Sequence, residues 1–300
     1  MTVEVLEPHG FCAGVTNALR KALSLVQSSF SPDHSDTRPF AHSVIRLFDN
    51  SLPPVYCLHE LVHNELVVAD LKARGMVFVE SLDEVPEGAT VLFSAHGVSP
   101  AVRRQAEARR LKVVDATCPF VARVHKAARD FAARGLPVVI LGHPSHAEVK
   151  GIMGEVPDPI VVPDLEAASQ SLPVASGRIG VVSQTTFNAD DVVEMIARLR
   201  RNHEVETMAE VCHATKERQD AVKAFDGDAL LVLGSVQSSN TKRLCEVARC
   251  RTFRAGTMAE VKALDLSGIG RLGVTSGAST PEGFFTEAVS YLTDLGSRIR

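Results

Sequence analysis

The chain has 300 residues, 45% of them hydrophobic and 23% charged, so it can bury two or three small cores and is neither disordered nor of low complexity. Its formal net charge of −4 leaves no basic footprint for nucleic acid and no long-range pull on an anionic substrate, so an anion site here must be local. Residues 1–9 lack the basic start and apolar core of a signal peptide, and no apolar run approaches the ~18 residues of a membrane span; a cytoplasmic location without a membrane partner is expected, in which six cysteines are buried thiols, metal ligands or redox groups rather than a disulfide framework.

In chain order, Val3–Glu7 reads as a strand, followed by Gly10-Phe-Cys-Ala-Gly14 and a helix through Val15, Ala18, Leu19 and Ala22. Residues 28–54 are rich in Ser, Pro, Asp and His and are expected to be a long loop or insertion. Val55–Leu58 is predicted as a strand, then a helix through Leu61, Val67, Val68 and Leu71 that stops at Gly75. Val77–Val79 and Val91–Phe93 are predicted strands, the second feeding Ser94-Ala-His96-Gly-Val-Ser99 and a helix opened by Pro100. Val113-Val114 ends a further strand, and Asp115-Ala-Thr-Cys118-Pro119 leads into a helix through Val121, Val124 and Ala128. Val138–Leu141 leads into Gly142-His-Pro-Ser-His146-Ala-Glu148, and Ile179–Val182 into Ser183-Gln-Thr185-Thr186 and a helix through Val192, Ile196 and Leu199. Val211-Cys212-His-Ala-Thr215 precedes the helix Arg218–Ala224. Leu230–Leu233 leads into Gly234-Ser-Val-Gln-Ser238-Ser239-Asn240, and Leu272–Thr275 into Ser276-Gly-Ala-Ser279 before a helix opened by Pro281.

Repetition of strand, turn and helix predicts an α/β protein with mainly parallel sheets. In such sheets ligands bind beyond the carboxyl ends of the strands. The residues collected at those ends are Cys, His, Ser, Thr, Asn and one Glu, a set suited to metal, proton and anion chemistry.

Two short patterns invite other readings. His59-Glu-Leu-Val-His63 matches H-E-x-x-H, which on a helix would set both imidazoles on one face for zinc, but it has no evident third ligand. Gly268-Ile-Gly-Arg-Leu-Gly273 matches G-x-G-x-x-G, yet it precedes a strand instead of following one, so the dinucleotide context is wrong. The cysteines carry more. Cys57 lies in a strand, and Cys245 and Cys250 follow helical spacing, so these three read as structural. Cys12, Cys118 and Cys212 stand at polar or Gly-rich strand ends ahead of helices, a setting that favours thiolate over thiol. Three thiolates are one short of a closed four-cysteine site, which leaves either a missing ligand or one metal position open to substrate. Buried structural thiols remain the competing reading.

Among the histidines, His63, His96 and His146 fall in strand-end or helix-start loops, whereas His125, His143, His203 and His213 read equally as surface or capping residues. Glu148, two residues after His146, is a candidate proton donor; a first-turn Glu complementing its helix is the alternative. Ser238, Ser239, Asn240, Ser279 and Thr185 offer hydroxyls, an amide and helix N-terminal N–H groups, an anion cradle built without Lys or Arg.

Gly10–Gly14, His59–Asn64, Ser94–Ser99, Asp115–Pro119, His146–Glu148, Gln184–Thr186, Ser238–Asn240 and Ser276–Ser279, occurring in that order, resemble the motifs of the 4-hydroxy-3-methylbut-2-enyl diphosphate reductase (LytB/IspH) family over nearly the whole chain. The resemblance implies a trefoil of three pseudo-symmetric α/β domains, 13–117, 118–207 and 208–300 plus 1–12, with mainly parallel sheets around a central iron–sulfur site. It implies a [4Fe–4S] cluster held by Cys12, Cys118 and Cys212 with one open iron. It implies binding of an allylic diphosphate by His63, His96, His146, Thr185, Ser238, Ser239, Asn240 and Ser279, with Glu148, Thr185 and His146 as catalytic residues. The implied reaction is the last step of the methylerythritol phosphate pathway, with ferredoxin or flavodoxin supplying electrons, and it makes His59–His63 a loop on the diphosphate side and not a zinc site. A non-catalytic cluster protein sensing iron or oxygen is the alternative from another class.

Overall fold

The computed structural model describes residues 1–27, 53–174, 177–208 and 210–298, so the loop expected over 28–54 lies almost wholly outside the described residues. In chain order, β1 (Thr2–Val5) is followed by α1 (Ala13–Gln27), β2 (Val55–Leu58), α2 (Glu65–Ala73), β3 (Met76–Val79), β4 (Thr90–Phe93), α3 (Pro100–Ala108) and β5 (Lys112–Asp115). Next come α4 (Pro119–Ala133), β6 (Val138–Leu141), α5 (Ala147–Met153), β7 (Ile160–Val162), β8 (Arg178–Ser183), α6 (Ala189–Leu199) and β9 (Glu204–Met208). The last stretch holds α7 (His213–Ala224), β10 (Ala229–Leu233), α8 (Ser239–Val247), β11 (Arg251–Ala255), α9 (Met258–Lys262), β12 (Arg271–Ser276) and α10 (Glu282–Arg298). No helix among the described residues is long and apolar enough to cross a membrane.

The strands form three four-stranded sheets, ordered β3-β2-β4-β5, β7-β6-β8-β9 and β11-β10-β12-β1. All pairs in the last two are parallel, as are β2–β4 and β4–β5. The expected parallel α/β class is therefore what forms. Each sheet repeats one order: second, first, third, fourth strand of its own repeat. The last sheet takes its fourth strand, β1, from the N-terminus, with Thr2 opposite Arg271 and Val5 opposite Val274. In each sheet the order reverses between the first and third strands, which marks three equivalent switch points.

Two compact units are distinguished. One comprises Met1–Pro53, Val62–Met76 and His213–Arg300 and contains the β11-β10-β12-β1 sheet; the other comprises Pro54–Leu61 and Val77–Cys212 and contains the other two, apart from Met76. Central strands are apolar throughout because parallel sheets are covered on both faces: β6 (VVIL) and β10 (ALLVL) are buried at every position. In the second unit Val139, Leu141, Ile179 and Val181 pack under Val192, Met195 and Leu199 of α6, while Val124, Ala128 and Phe131 of α4 cover Val138, Ile140 and Val182 on the opposite face. In the first unit Leu231, Leu233, Leu272 and Val274 meet Phe284, Phe285, Ala288 and Leu292 of α10.

Several local expectations are corrected. The helix expected from Leu61 starts only at Glu65, because Asn64 caps it by accepting hydrogen bonds from the N–H groups of Leu66 and Val67. Residues 59–63 are not helical, and His59 has a φ of 58°, so the one-faced pair of imidazoles that a zinc peptidase requires does not form. Cys245 lies in α8, but Cys250 stands outside it, just before β11. Strands β7, β9 and β11 and helices α5 and α9 were not anticipated as elements. All three strands are sheet edges: β9 and β11 are interrupted by charged residues, as in Glu204-Val-Glu-Thr-Met208, and β7 is only three residues long, Ile160-Val-Val162 between two prolines.

Candidate active site

The repeated strand order places the singled-out residues at repeated positions. Each cysteine follows a fourth strand and immediately precedes a helix: Cys118 after β5 and before α4, Cys212 after β9 and before α7, Cys12 after β1 and before α1. Each donates its backbone N–H to the carbonyl two residues past the end of the third strand: Cys118 to Ala95 at 3.0 Å, Cys212 to Thr185 at 2.9 Å and Cys12 to Ala278 at 3.1 Å. Carbonyls of Cys12 and Cys118 accept the first bonds of the following helices, from Thr16 and Ala122, each at 2.9 Å. The Cys118 side chain makes no capping bond to α4. None of the six cysteines is in a disulfide, and Cys12, Cys118 and Cys212 are all partly exposed. Cys57, by contrast, is buried on β2, and desolvation pushes its thiol up to about 12, as befits an inert core group. His63, His146 and Ser238 in turn each stand five residues past the end of a first strand, and His96 and Ser279 three past a third.

Within the second unit the structure brings His96, His146, Glu148 and Thr185 together. His146 caps α5, its Nδ1 accepting the Glu148 N–H at 3.2 Å, so the neutral ring carries its proton on Nε2. His96 meets it edge to face, ring centroids 5.7 Å apart. Glu148 is 1% exposed, and its carboxylate accepts the Thr185 N–H at 2.7 Å and the Thr185 hydroxyl at 3.0 Å. Thr185 thereby links the carboxyl group to the carbonyl that anchors Cys212. Buried Gln184 ties the same turns, its Oε1 accepting the His143 N–H at 3.2 Å and its Nε2 donating to Thr186 Oγ1 at 2.9 Å.

Burial pushes the Glu148 carboxyl up to about 7, the two bonds from Thr185 offsetting only part of that cost. A carboxyl raised in the folded state binds its proton there at pH values where the unfolded chain has released it, so its contribution to stability is present at low pH and is lost as pH rises to about 7. Glu148→Gln mimics the protonated form. Its melting temperature is expected to match wild type near pH 4.5, to exceed it progressively up to about pH 7, and to keep a constant lead above that; a gap independent of pH would refute the assignment.

Within the first unit, Ser238 caps α8 by accepting the Thr241 N–H at 3.2 Å, Ser239 opens the helix, and Asn240 follows, 4% exposed. Neither Oδ1 nor Nδ2 of Asn240 has a hydrogen-bond partner among the described residues, although buried amides are normally satisfied. Such a group has hydrogen-bonding capacity to offer a ligand. The Ser279 hydroxyl donates to the His63 carbonyl at 3.1 Å, joining the β12 turn to the segment before α2.

Among the described residues no group of three or more His, Cys, Asp or Glu side chains is assembled to hold a metal ion. The donor chemistry nonetheless suits a cluster: three thiols at one equivalent position per sheet, each ahead of a helix, and no fourth. Sequence reasoning missed three supporting residues. Asn64 caps α2 beside His63. Gln184 was read only as part of a motif. Arg218, 3% exposed on α7, donates to the carbonyls of His9 at 3.3 Å and Gly10 at 2.9 Å and so fixes the turn leading to Cys12. Residue type does not single out a buried Arg in a polar helix; the signal that could have found it is the helical spacing it shares with Thr215, Gln219 and Val222 on the inner face.

A family profile described as LytB protein matches residues 40–293. A 4-hydroxy-3-methylbut-2-enyl diphosphate reductase of Acidithiobacillus ferrooxidans is 37% identical over 309 aligned positions, covering 100% of this chain and 91% of the relative. One from Azoarcus sp. is 40% identical over 303 positions, with 98% and 90% covered. Among solved structures, the E-1-hydroxy-2-methyl-but-2-enyl-4-diphosphate reductase of Plasmodium falciparum superposes with a TM-score of 0.84 at 29% identity, covering 97% of this chain and 87% of that one. A second, described as the terminal enzyme of the non-mevalonate pathway, gives a TM-score of 0.63 at 29% identity, with 98% and 100% covered.

Proposed function

The chain belongs to the LytB protein family, and on that premise we propose that it catalyses reductive dehydroxylation of (E)-4-hydroxy-3-methylbut-2-enyl diphosphate to isopentenyl and dimethylallyl diphosphate. It is a 4-hydroxy-3-methylbut-2-enyl diphosphate reductase of the non-mevalonate isoprenoid pathway. Two electrons and two protons are consumed: the C–O bond to the hydroxyl breaks, one proton leaves in water, and the other forms the new C–H bond. The observation that carries the reading at the level of residues is the repeated cysteine position, one per sheet, each hung from a carbonyl of the third-strand turn.

Cys12, Cys118 and Cys212 would hold a [4Fe–4S] cluster, which supplies electrons one at a time and an open, Lewis-acidic iron. The electron donor is a ferredoxin or flavodoxin. The three repeats, 13–117, 118–207 and 208–300 plus 1–12, act as domains, with Cys118 opening the second, and Cys12 and Cys212 near the ends of the two segments of the third.

The remaining work falls to side chains. His63, His96, His146, Ser238, Ser239, Asn240 and Ser279 hold the diphosphate. Asn240 gives it an amide with unspent hydrogen-bonding capacity, His146 an Nε2–H, and α8 the N–H groups of its first turn. This division lets a chain of net charge −4 bind an anion without Lys or Arg. Glu148, near half-protonated at neutral pH, is the proton store, and Thr185 passes the proton on through Oγ1. His146 couples the two tasks, since its Nδ1 fixes the first turn of α5 that presents Glu148.

The test is turnover under anaerobic conditions. Protein reconstituted with iron and sulfide and given dithionite with a mediator is expected to convert the hydroxylated allylic diphosphate to both isomers. A fully loaded preparation that yields neither isomer would overturn the reading.

A further inference from the structure

One buried imidazole has no part in the chemistry above. His125 lies on the inner face of α4 with Val121, Val124 and Ala128, where the 3.6-residue period calls for an apolar side chain. It is 5% exposed. Its Nδ1–H donates to Glu155 Oε1 at 2.8 Å, and the same oxygen accepts from Arg129 Nη1 at 2.9 Å. The Glu155 side chain is itself only 2% exposed. Burial works against its charge, but the hydrogen bonds and charges of His125 and Arg129 outweigh that and hold the carboxyl below its ordinary range. The ring is therefore tethered at one edge by an ionised partner.

Its other edge is pressed between two glycines. A Cβ on Gly97 would stand 3.0 Å from Nε2 and 3.4 Å from Cε1; one on Gly151 would stand 3.0 Å from Cε1 and 3.2 Å from Nε2. Gly97 follows His96 in a turn with a φ of +76°, and Gly151 lies three residues beyond Glu148, one helical turn along α5. Nε2 has no hydrogen-bond partner among the described residues, so contact with both segments is steric. The imidazole is a spacer here and not a link in a proton wire. A Leu or Phe would fill the space without a counter-charge; what the tether adds is that the ring can neither rotate nor slide.

We infer that His125 is a positioning residue: clamped by Glu155, its ring sets the gap between the Gly97 turn and α5, and with it the placement of His96 relative to Glu148. The inference rests on the reading of Glu148 as proton donor and deepens it.

A cycle of Gly151→Ala, His125→Ser and the double variant tests it. Gly→Ala inside a helix ordinarily stabilises. Here Gly151→Ala is expected to lower the melting temperature by about 2–4 °C in the wild-type background and to raise it when His125 is Ser. Both single variants, cluster-loaded and assayed well below melting, are expected to lose ~10–100-fold in kcat with KM little changed. Their solvent deuterium isotope effect on kcat should rise because proton delivery is slowed, and the double variant should recover part of the loss. His125→Gln serves the same cycle if the Ser variant does not accumulate, since its amide still offers Glu155 a donor. Stabilisation by Gly151→Ala in both backgrounds, or wild-type kcat in both single variants while Glu148→Gln is inactive, overturns the inference. If Glu148→Gln itself keeps wild-type turnover, the proton-donor reading fails instead, and the melting cycle still decides whether the ring spaces the two segments.

Discussion

Glu148→Gln is expected to lower kcat by about 10²–10⁴-fold, the range for loss of a positioned general acid. The amide reproduces the shape of the protonated carboxyl: its oxygen can accept the Thr185 N–H now held at 2.7 Å, and its NH₂ can donate to Thr185 Oγ1. Fold, cluster content and substrate affinity should therefore survive, and the loss should fall on turnover. Steady-state kinetics, iron analysis and calorimetric binding of the substrate, measured on one preparation, separate these quantities. Comparable losses of iron and of affinity would show a structural role instead. Thr185→Val provides the companion arm, because it keeps the N–H bond to Glu148 while removing the hydroxyl proposed to pass the proton.

The second large effect concerns the thiols. Loss of an outer-shell partner already costs ~10–100-fold in metal affinity, and loss of a ligand should cost at least as much. Cys118→Ser is expected to leave about a tenth or less of the wild-type iron and labile sulfide after anaerobic preparation. Cys12→Ser and Cys212→Ser should match it, since all three stand at the same place in their repeats. Cys57→Ala is the control: its thiol is buried on β2 and should contribute nothing to iron content. Full iron retention in all three Ser variants would remove the cluster from the reading, while retention in one alone would single out the cysteine that is not a ligand.

How much was legible beforehand follows burial. Central strands such as Val138–Leu141 announce themselves because both faces are covered and every residue is apolar. Two edge strands do not: Glu204–Met208 and Arg251–Ala255 pair on one side only, and polar residues interrupt their apolar ones. The junction cysteines and the Ser238–Asn240 cap were visible since strand ends and helix starts carry turn chemistry that can be read locally. The bond between Glu148 and Thr185 was not, as it joins residues 37 apart through two neighbouring strands of one sheet. His125 was read as a surface or capping residue for a related reason. Its place is decided by Gly97 and Gly151 packing around it, and nothing within α4 foretells that. The repeated strand order was not legible from spacing or composition, because one of its three copies is split between the N- and C-terminal segments, and only the family resemblance implied the threefold repetition.

That split has a bearing on biosynthesis. Strand β1 pairs with β12, and the Gly10 amide bonds Ser276 across a separation of 266 residues. On the ribosome, the nascent Cys12 segment emerges early and must wait for Ala278 to be translated before its amide finds the native acceptor. Any cofactor that needs all three thiols in their native places would thereby be bound only after the last strand of the third sheet has been made, and not by a nascent chain that lacks it.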